Sequence, residues 1–434
     1  MLDIKFIREN IDIVKKACKD KNVNISVDLV LDLDKKYREE MDKEQKINTI
    51  KNEGNKKNKG ITDKKLIMIN ATSTMQIVEA YVKDEKTTEP EISENIKKFK
   101  KERDELLSQL PNIPFDDVPV GKDDSENQVL RKVGRPSLKL RNDELRDYMK
   151  LGAELDLIDT ERAGKVAGSR FGYLKRELPL LEFGLINLVM DTVRKEGFIP
   201  VLPPVMLKNE MARGTGYFEA GDETEAYYLP ADDMYLAGTA EQPLVAMHSG
   251  EVLEEKDLPI RYVGFSTCFR REAGSYGKDT KGILRVHQFD KLEMVIFAKP
   301  EDSKKEHELI LSIEEKLMKA LGLPYQVINI CTGDLGRPAA KKYDIETWLP
   351  SEDKYRETHS SSNCTDFQAR RLNMRYKDKN NKMNFVHTLN GTAFAIGRIL
   401  IMIMENYQQK DGSIKVPKVL QKYTGIKVIK PKGK

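Results

Sequence analysis

The chain has 434 residues, and its 74 Lys and Arg against 70 Asp and Glu leave a formal net charge of only +4. Bulk charge therefore points to no nucleic-acid partner, and any RNA contact has to come from local patches. A third of the residues (33%) are charged, no apolar run approaches the roughly 18 residues of a membrane span, and the first ten residues lack a secretory core, so a cytoplasmic protein without a membrane partner is expected.

Residues 1–110 are rich in lysine, glutamate and asparagine and read as two long helices. Val30, Leu33, Tyr37 and Met41 step by three and four, and Ile47 and Ile50 continue the stripe. Glu53-Gly54-Asn55 and Lys59-Gly60 are turn signals, after which Leu66, Ile69, Ile77 and Tyr81 fall on one face. Ile92, Ile96, Phe99, Leu106 and Leu110 then follow a heptad in which Arg103 takes one core slot. So narrow a seam suits an antiparallel coiled-coil hairpin, although a helical subdomain packed on the body has the same period. Pro90 does not suit a continuous returning helix, and a break near Thr88 is predicted, with that threonine capping a new start. Asn70-Ala-Thr-Ser-Thr, poor in helix propensity, is a second departure from a smooth helix. Lys43, Lys46, Lys51, Lys56, Lys57, Lys59, Lys64 and Lys65 cluster toward the turn, where they suit phosphate contact or a merely solvated face.

A Pro- and Asp-rich linker follows at 111–130. From 131 to 434 glycine, proline and aromatic content rises and strands alternate with helices, which predicts an α+β domain. The helix at 180–196 is apolar on more than one face, as a helix buried on several sides would be. An apolar run at 262–269, a Gly- and Lys-rich turn at 273–282 and a resumed run with Ile283, Val286 and Phe289 predict a hairpin. Its arginines offer planar forks for phosphate oxygens, a phenylalanine offers a ring for a purine, and a carboxylate offers an acceptor for an amino group. A surface hairpin with solvated charges is written with the same residues. The five histidines form no close ligand pair, and Cys18, Cys268, Cys331 and Cys364 are scattered without a CxxC pair, so no zinc ribbon or disulfide framework is predicted. The lysine-rich segment after Gly412 reads as a solvated basic tail.

The stretch 269–293, FRREAGSYGKDTKGILRVHQFDKLE, resembles the second signature motif of class II aminoacyl-tRNA synthetases in the version of the seryl-tRNA synthetases. GFIPVLPPVM at 197–206, ending in Pro204, resembles the first motif, and LNGTAFAIGRILIMIMENYQ at 389–408 resembles the third. TAEQP at 239–243 and YRETHSSSNCTDFQARR at 355–371 are similar to the seryl enzymes as well. Five ordered segments are far more specific than a lone glycine pattern.

The resemblance implies a class II antiparallel sheet flanked by helices, an N-terminal coiled-coil arm at 1–110 that grips tRNA, and a homodimer through the first motif. It implies ligation of L-serine to tRNA(Ser), and to tRNA(Sec) where present, through seryl-adenylate made from ATP. Arg270, Glu272 and Arg398 are the implied catalytic residues. ATP is assigned to these with Arg271, Arg285, Phe289, Glu357, Thr358, His359 and Ser360, and Phe289 and Arg398 sandwich the adenine. Glu357 and Ser360 match metal-contacting positions for Mg2+. Thr239, Ala240, Glu241, Glu293, Asn390 and Thr392 match the serine pocket, and no cysteine set for a zinc-type pocket is present. His359 replaces the small residue usual in the family before Ser360, and a surface position is expected for it. Two rivals share the fold: a ligase charging a carrier protein, which would lack the arm, and a non-catalytic RNA-binding relative, which would lack Arg270, Arg285 and Arg398.

Overall fold

The computed structural model describes residues 1–59, 61–136, 144–217, 225–273 and 281–431. They divide into two compact units, one of Ile4–Lys15 and Asn24–Leu110, the other of Met1–Asp3, Lys16–Val23 and Pro111–Lys434.

The smaller unit is built on helices α1 (Val27–Lys57), α2 (Lys64–Asp84) and α3 (Glu89–Gln109). Ser26 and Asp63 cap the first two through side-chain oxygens that accept from Leu29 N and Lys65 N. The return is broken where the sequence predicts: Thr88 and Glu91 form a reciprocal capping box, with Pro90 in the first turn of α3. Arg103 does occupy a seam position. Its guanidinium lies 4.5 Å from the Tyr37 ring centre and contacts Asp34, a 1% exposed carboxylate on which Arg8 and Arg38 also converge. A charge this deep persists because it is paired.

Two expectations about the hairpin fail. Glu53-Gly54-Asn55 is not a turn, because α1 runs through it to Lys57. Gly54 is there for closeness: a Cβ would lie 2.1 Å from the Thr74 hydroxyl oxygen of α2. The α2 face turned to α1 is accordingly Asn70, Thr74 and Val78, and Leu66, Ile69 and Ile77 are exposed. The low-propensity stretch at 70–74 stays helical, with the Thr72 and Thr74 hydroxyls donating to the carbonyls of Met68 and Asn70.

The larger unit is centred on a sheet of eight strands among the described residues: β1 (Gln128–Val133), β2 (Ile199–Val201), β3 (Ile260–Phe269), β4 (Gln288–Ala298), β5 (Tyr325–Asn329), β6 (Lys341–Leu349), β7 (Lys354–Asn363) and β8 (His387–Ala395). Their order is β1-β5-β6-β7-β8-β4-β3-β2, antiparallel except for β2 beside β3. The helices of this unit include α4 (Glu177–Val193), α5 (Ser303–Leu321) and α6 (Ile396–Asn406), which pack a continuous apolar core against one face of the sheet. The other face carries a second apolar core at one end, where Val295 and Phe297 pack with Leu244, Val245 and Met374, and polar side chains over the rest.

The segment after Gly412 is not a solvated tail. It forms helix α7 (Lys418–Thr424) packed on α4, with Ile414, Val416, Leu420 and Ile429 buried and Lys415, Lys418, Lys422, Lys427 and Lys430 exposed. Helix α4 also differs from expectation. It buries Leu181, Leu185, Leu188 and Val189, yet Leu180 and Phe183 stand 48% and 61% exposed on its other face. No helix among the described residues is long and apolar enough to cross a membrane.

Candidate active site

A cavity of about 410 Å³ lies on the face of the sheet opposite the main helical core. Strand period places its side chains: Phe289, Lys291 and Glu293 alternate along β4, and Asn390 and Thr392 along β8. Two irregularities aim the rest. On β7, Glu357 and Ser360 are an odd number of residues apart and should face opposite ways. The β6–β7 register slips at this point, with Ile345 opposite His359 and Glu346 opposite Glu357, so that Thr358 is extra. Such a bulge turns Glu357 and Ser360 to the same side, and both line the cavity. A matching slip between β4 and β8, where Ala393 is extra, sets Glu293 opposite Thr392.

One end of the cavity is cationic. Arg398, in the first turn of α6, donates to the Glu357 carbonyl at 2.9 Å and pairs with its carboxylate at 3.4 Å. Burial alone would push the Glu357 carboxyl up, but the charges of Arg398, Lys342 and Arg270 prevail and hold it at about 2. Arg270 donates to the Gly238 carbonyl and lies 5.3 Å from the Phe289 ring centre. Arg285 pairs with Glu272 at 3.3 Å, and Lys342 pairs with Asp344 at 3.3 Å. Burial raises Asp344 to about 7 against the pull of Lys342, with Glu357 adding to the rise. Its Oδ1 has no hydrogen-bond partner among the described residues.

The other end is acidic and hydroxylated. Glu293 is 2% exposed, accepts from the Thr392 hydroxyl at 3.2 Å and pairs with Lys291 at 2.6 Å. Glu241, also 2% exposed, accepts from the Tyr217 hydroxyl at 2.6 Å and from Gln368 at 2.9 Å. Burial and the nearby Glu293 carboxylate push Glu241 up to about 7. The Thr239 hydroxyl accepts from Glu241 N, and the Asn390 amide reaches the Cys364 thiol.

The cavity thus brings together Arg270, Glu272, Arg285, Phe289, Glu357, Thr358, Ser360 and Arg398 with Thr239, Glu241, Glu293, Asn390 and Thr392. Three residues named from the sequence lie outside its lining. Arg271 stacks on Tyr227 and donates to the Ala226 carbonyl, and Ala240 is packed in the core beneath. His359 is not at the surface: it is 1% exposed on the covered side of β7, edge-on to Phe394, its Nδ1 bonded to the Thr358 hydroxyl. Burial pushes its imidazole down to about 3. Most of the turn between the two hairpin strands, 274–280, lies outside the described residues. Ile283 and Val286 precede the strand, which begins at Gln288.

Sequence reasoning missed Lys291, Tyr217, Lys342 and Asp344, all but the last lining the cavity. Lys291 was within reach, since it lies two residues from both Phe289 and Glu293 on one strand face. Lys342 is paired in register with Ser362, and Asp344 with Ser360, a tertiary relation with no local signal.

Residues 1–114 match the seryl-tRNA synthetase N-terminal domain, and residues 227–407 match the tRNA synthetase class II core domain (G, H, P, S and T). The chain is 44% identical to a serine–tRNA ligase of Thermococcus onnurineus over 456 residues, covering 99% of this chain and 97% of that one. It superimposes with a TM-score of 0.88 on the crystal structure of seryl-tRNA synthetase from Pyrococcus horikoshii complexed with ATP, at 40% identity, covering 99% of this chain and 100% of that one. A cytoplasmic serine–tRNA ligase from Naegleria fowleri in complex with AMP gives 0.85 at 34% identity, covering 100% of this chain and 99% of that one.

Proposed function

The chain belongs to the seryl-tRNA synthetases, ATP-dependent ligases that join serine to tRNA, and from that premise we propose how its cavity divides the work. One observation carries the reading: a single cavity has arginines at one end and two buried glutamates at the other. Adenylation requires a carboxylate oxygen held in line with the α-phosphate of ATP and the leaving pyrophosphate. That is positioning and charge neutralisation, with no protein nucleophile required.

In this reading Arg270 holds the α-phosphate, Arg285 and Arg398 face the β- and γ-phosphates, Glu272 accepts from the adenine amino group, and Phe289 stacks on the ring. Arg271 would act from the rim. Glu293 and Thr392 receive the serine hydroxyl, and Thr239 and Glu241 its ammonium group, with Asn390 beside them. A magnesium ion fits the opposite wall: the Glu357 carboxylate, kept ionised, and the Ser360 hydroxyl share a face, and the unpartnered Asp344 oxygen borders Ser360. Bound there with phosphate and water completing its shell, the ion would neutralise charge on the phosphates.

The acid end has a pH signature. Glu241 is charged only above about 7. Capture of the serine ammonium is therefore lost as pH falls, and kcat/KM for serine is expected to drop roughly tenfold per pH unit below that point. In Glu241→Gln that limb should be absent from the profile, with a lower plateau; a limb that persists would assign it to another group.

The exposed Leu180 and Phe183 of α4, with Leu202 at 80% exposure nearby in sequence, support a homodimer through this face. The smaller unit is proposed as the tRNA-gripping arm, supported by its lysines at the end of α1 and the start of α2. Pyrophosphate exchange into ATP, run with serine and a panel of amino acids, tests the enzyme reading. Replacing 43–93 by a short glycine linker should leave serine-dependent exchange within about twofold and lower kcat/KM for tRNA charging by about tenfold or more, as loss of several phosphate contacts would. Unchanged charging would remove the arm from tRNA binding.

A further inference from the structure

One wall of the cavity is the loop 334–339, which presents Leu335, Gly336, Pro338 and Ala339 to the interior. Its outer side is organised in an unusual way. The carbonyls of four successive residues all accept from just two side chains or their own backbone. The Lys21 ammonium donates to Gly336 O at 2.8 Å, Arg337 O at 3.2 Å and Ala339 O at 2.7 Å. The Asn112 amide donates to Pro338 O at 2.9 Å, and Asn112 N donates to Arg337 O at 2.9 Å. The same Asn112 amide reaches Cys364 O and the Thr365 hydroxyl, which ties the loop to the end of β7.

Neither residue is there for local reasons. Lys21 follows the short helix Ile11–Asp20, turned inward by Asn22 at φ 57. It is only 8% exposed, and among the described residues no carboxylate pairs with it. Its whole donor capacity goes to the loop. Burial pushes the ammonium down, to about 7, against the opposing influence of Cys364 and Cys18. Asn112 is 3% exposed. The two residues stand where the chain leaves the larger unit, after Val23, and where it re-enters, at Pro111.

We propose that Lys21 and Asn112 are positioning residues that bracket the loop 336–339 from behind and so fix the wall of the serine subsite. The proposal rests on the assignment of the Glu241–Glu293 end to serine. Pro338 belongs to that end: it stands across from Gly216, whose neighbour Tyr217 holds Glu241, and Cys364, whose carbonyl is held by the same amide, also lines the cavity. A wall whose four carbonyls are already satisfied neither turns them into the cavity nor has to be ordered by the substrate. Serine then binds a preformed slot without an ordering cost.

The test is steady-state exchange kinetics on the full chain, for Lys21→Met and Asn112→Ala, with amide hydrogen exchange over 334–341 and thermal unfolding of each. The expected result is a serine KM raised about tenfold, kcat and the ATP KM within about twofold, faster exchange in the loop, and an unfolding midpoint close to the parent. A serine KM within twofold of the parent in both variants overturns the bracket. So does a joint fall of all kinetic parameters with the unfolding midpoint, or failure of both variants to fold, because the two residues would then serve general stability. Glu293→Ala, run in parallel, separates the premise from the proposal: if it leaves the serine KM unchanged, the serine assignment of that end is wrong, whatever the two bracket variants do.

Discussion

Replacing Arg398 by alanine is expected to lower serine-dependent pyrophosphate exchange by about 10²–10³-fold through kcat, the range seen when one preorganised charge-stabilising donor is removed. Two effects add. The variant loses a guanidinium proposed to face the departing phosphates, where charge builds as pyrophosphate leaves. It also releases Glu357, whose carboxyl Arg398 is the foremost charge in holding at about 2. With that charge gone, Lys342 and Arg270 are left to oppose burial, and the carboxyl proposed to meet magnesium becomes harder to keep ionised. Arg398 reaches both the carbonyl and the carboxylate of Glu357 through one nitrogen, Nη1, so Arg398→Lys retains a charge but loses the planar guanidinium proposed to face the phosphates, and an intermediate loss is expected. Exchange by the alanine variant within threefold of the parent would remove Arg398 from the phosphate site.

The second large effect concerns choice of amino acid. Glu293→Ala is expected to lower kcat/KM for serine by about 10³-fold or more and to leave the small rate with alanine nearly unchanged, so that the preference for serine collapses. The reasoning is asymmetric. Glu293 is buried, and it holds both the Thr392 hydroxyl and the Lys291 ammonium on one oxygen, Oε2. On the proposed assignment serine would add a hydroxyl to this arrangement, whereas alanine would occupy the slot and leave buried polar groups without it. The comparison of the two amino acids, by exchange at matched pH above 7, is the measurement. A preference that survives would move hydroxyl recognition to another residue.

The elements carrying the proposed site were legible in the sequence to different depths. The hairpin was legible from its apolar runs and its turn, although Ile283 and Val286 lie ahead of the second strand, and the alternation Phe289, Lys291, Glu293, a local property of that strand, would have added Lys291. The break at Thr88 was legible because a cap and a proline are local chemistry. What was not legible depended on partners distant in sequence. Nothing near Gly54 says that Thr74 will lie on it, so the glycine read as a turn and the wrong face of α2 read as the seam. His359 looked like a surface residue because its neighbours are polar, and only the β6–β7 slip shows which way each of them turns. The lysines after Gly412 hid four buried apolar residues spaced too irregularly to show a period.

The pairing of Glu272 with Arg285, Glu357 with Arg398 and Glu293 with Lys291 has an ionic consequence. Each of these cations already has its counter-ion, supplied by the chain. A stray inorganic anion gains little by entering, since for each contact it must displace a tethered carboxylate that is always at hand. In the proposed reading ATP would have the means to do so, because its contacts are linked and its adenine would take over Glu272. On that assignment the internal carboxylates would act as a filter that a single small anion does not pass, and nucleotide binding would be an exchange of partners instead of a simple attraction.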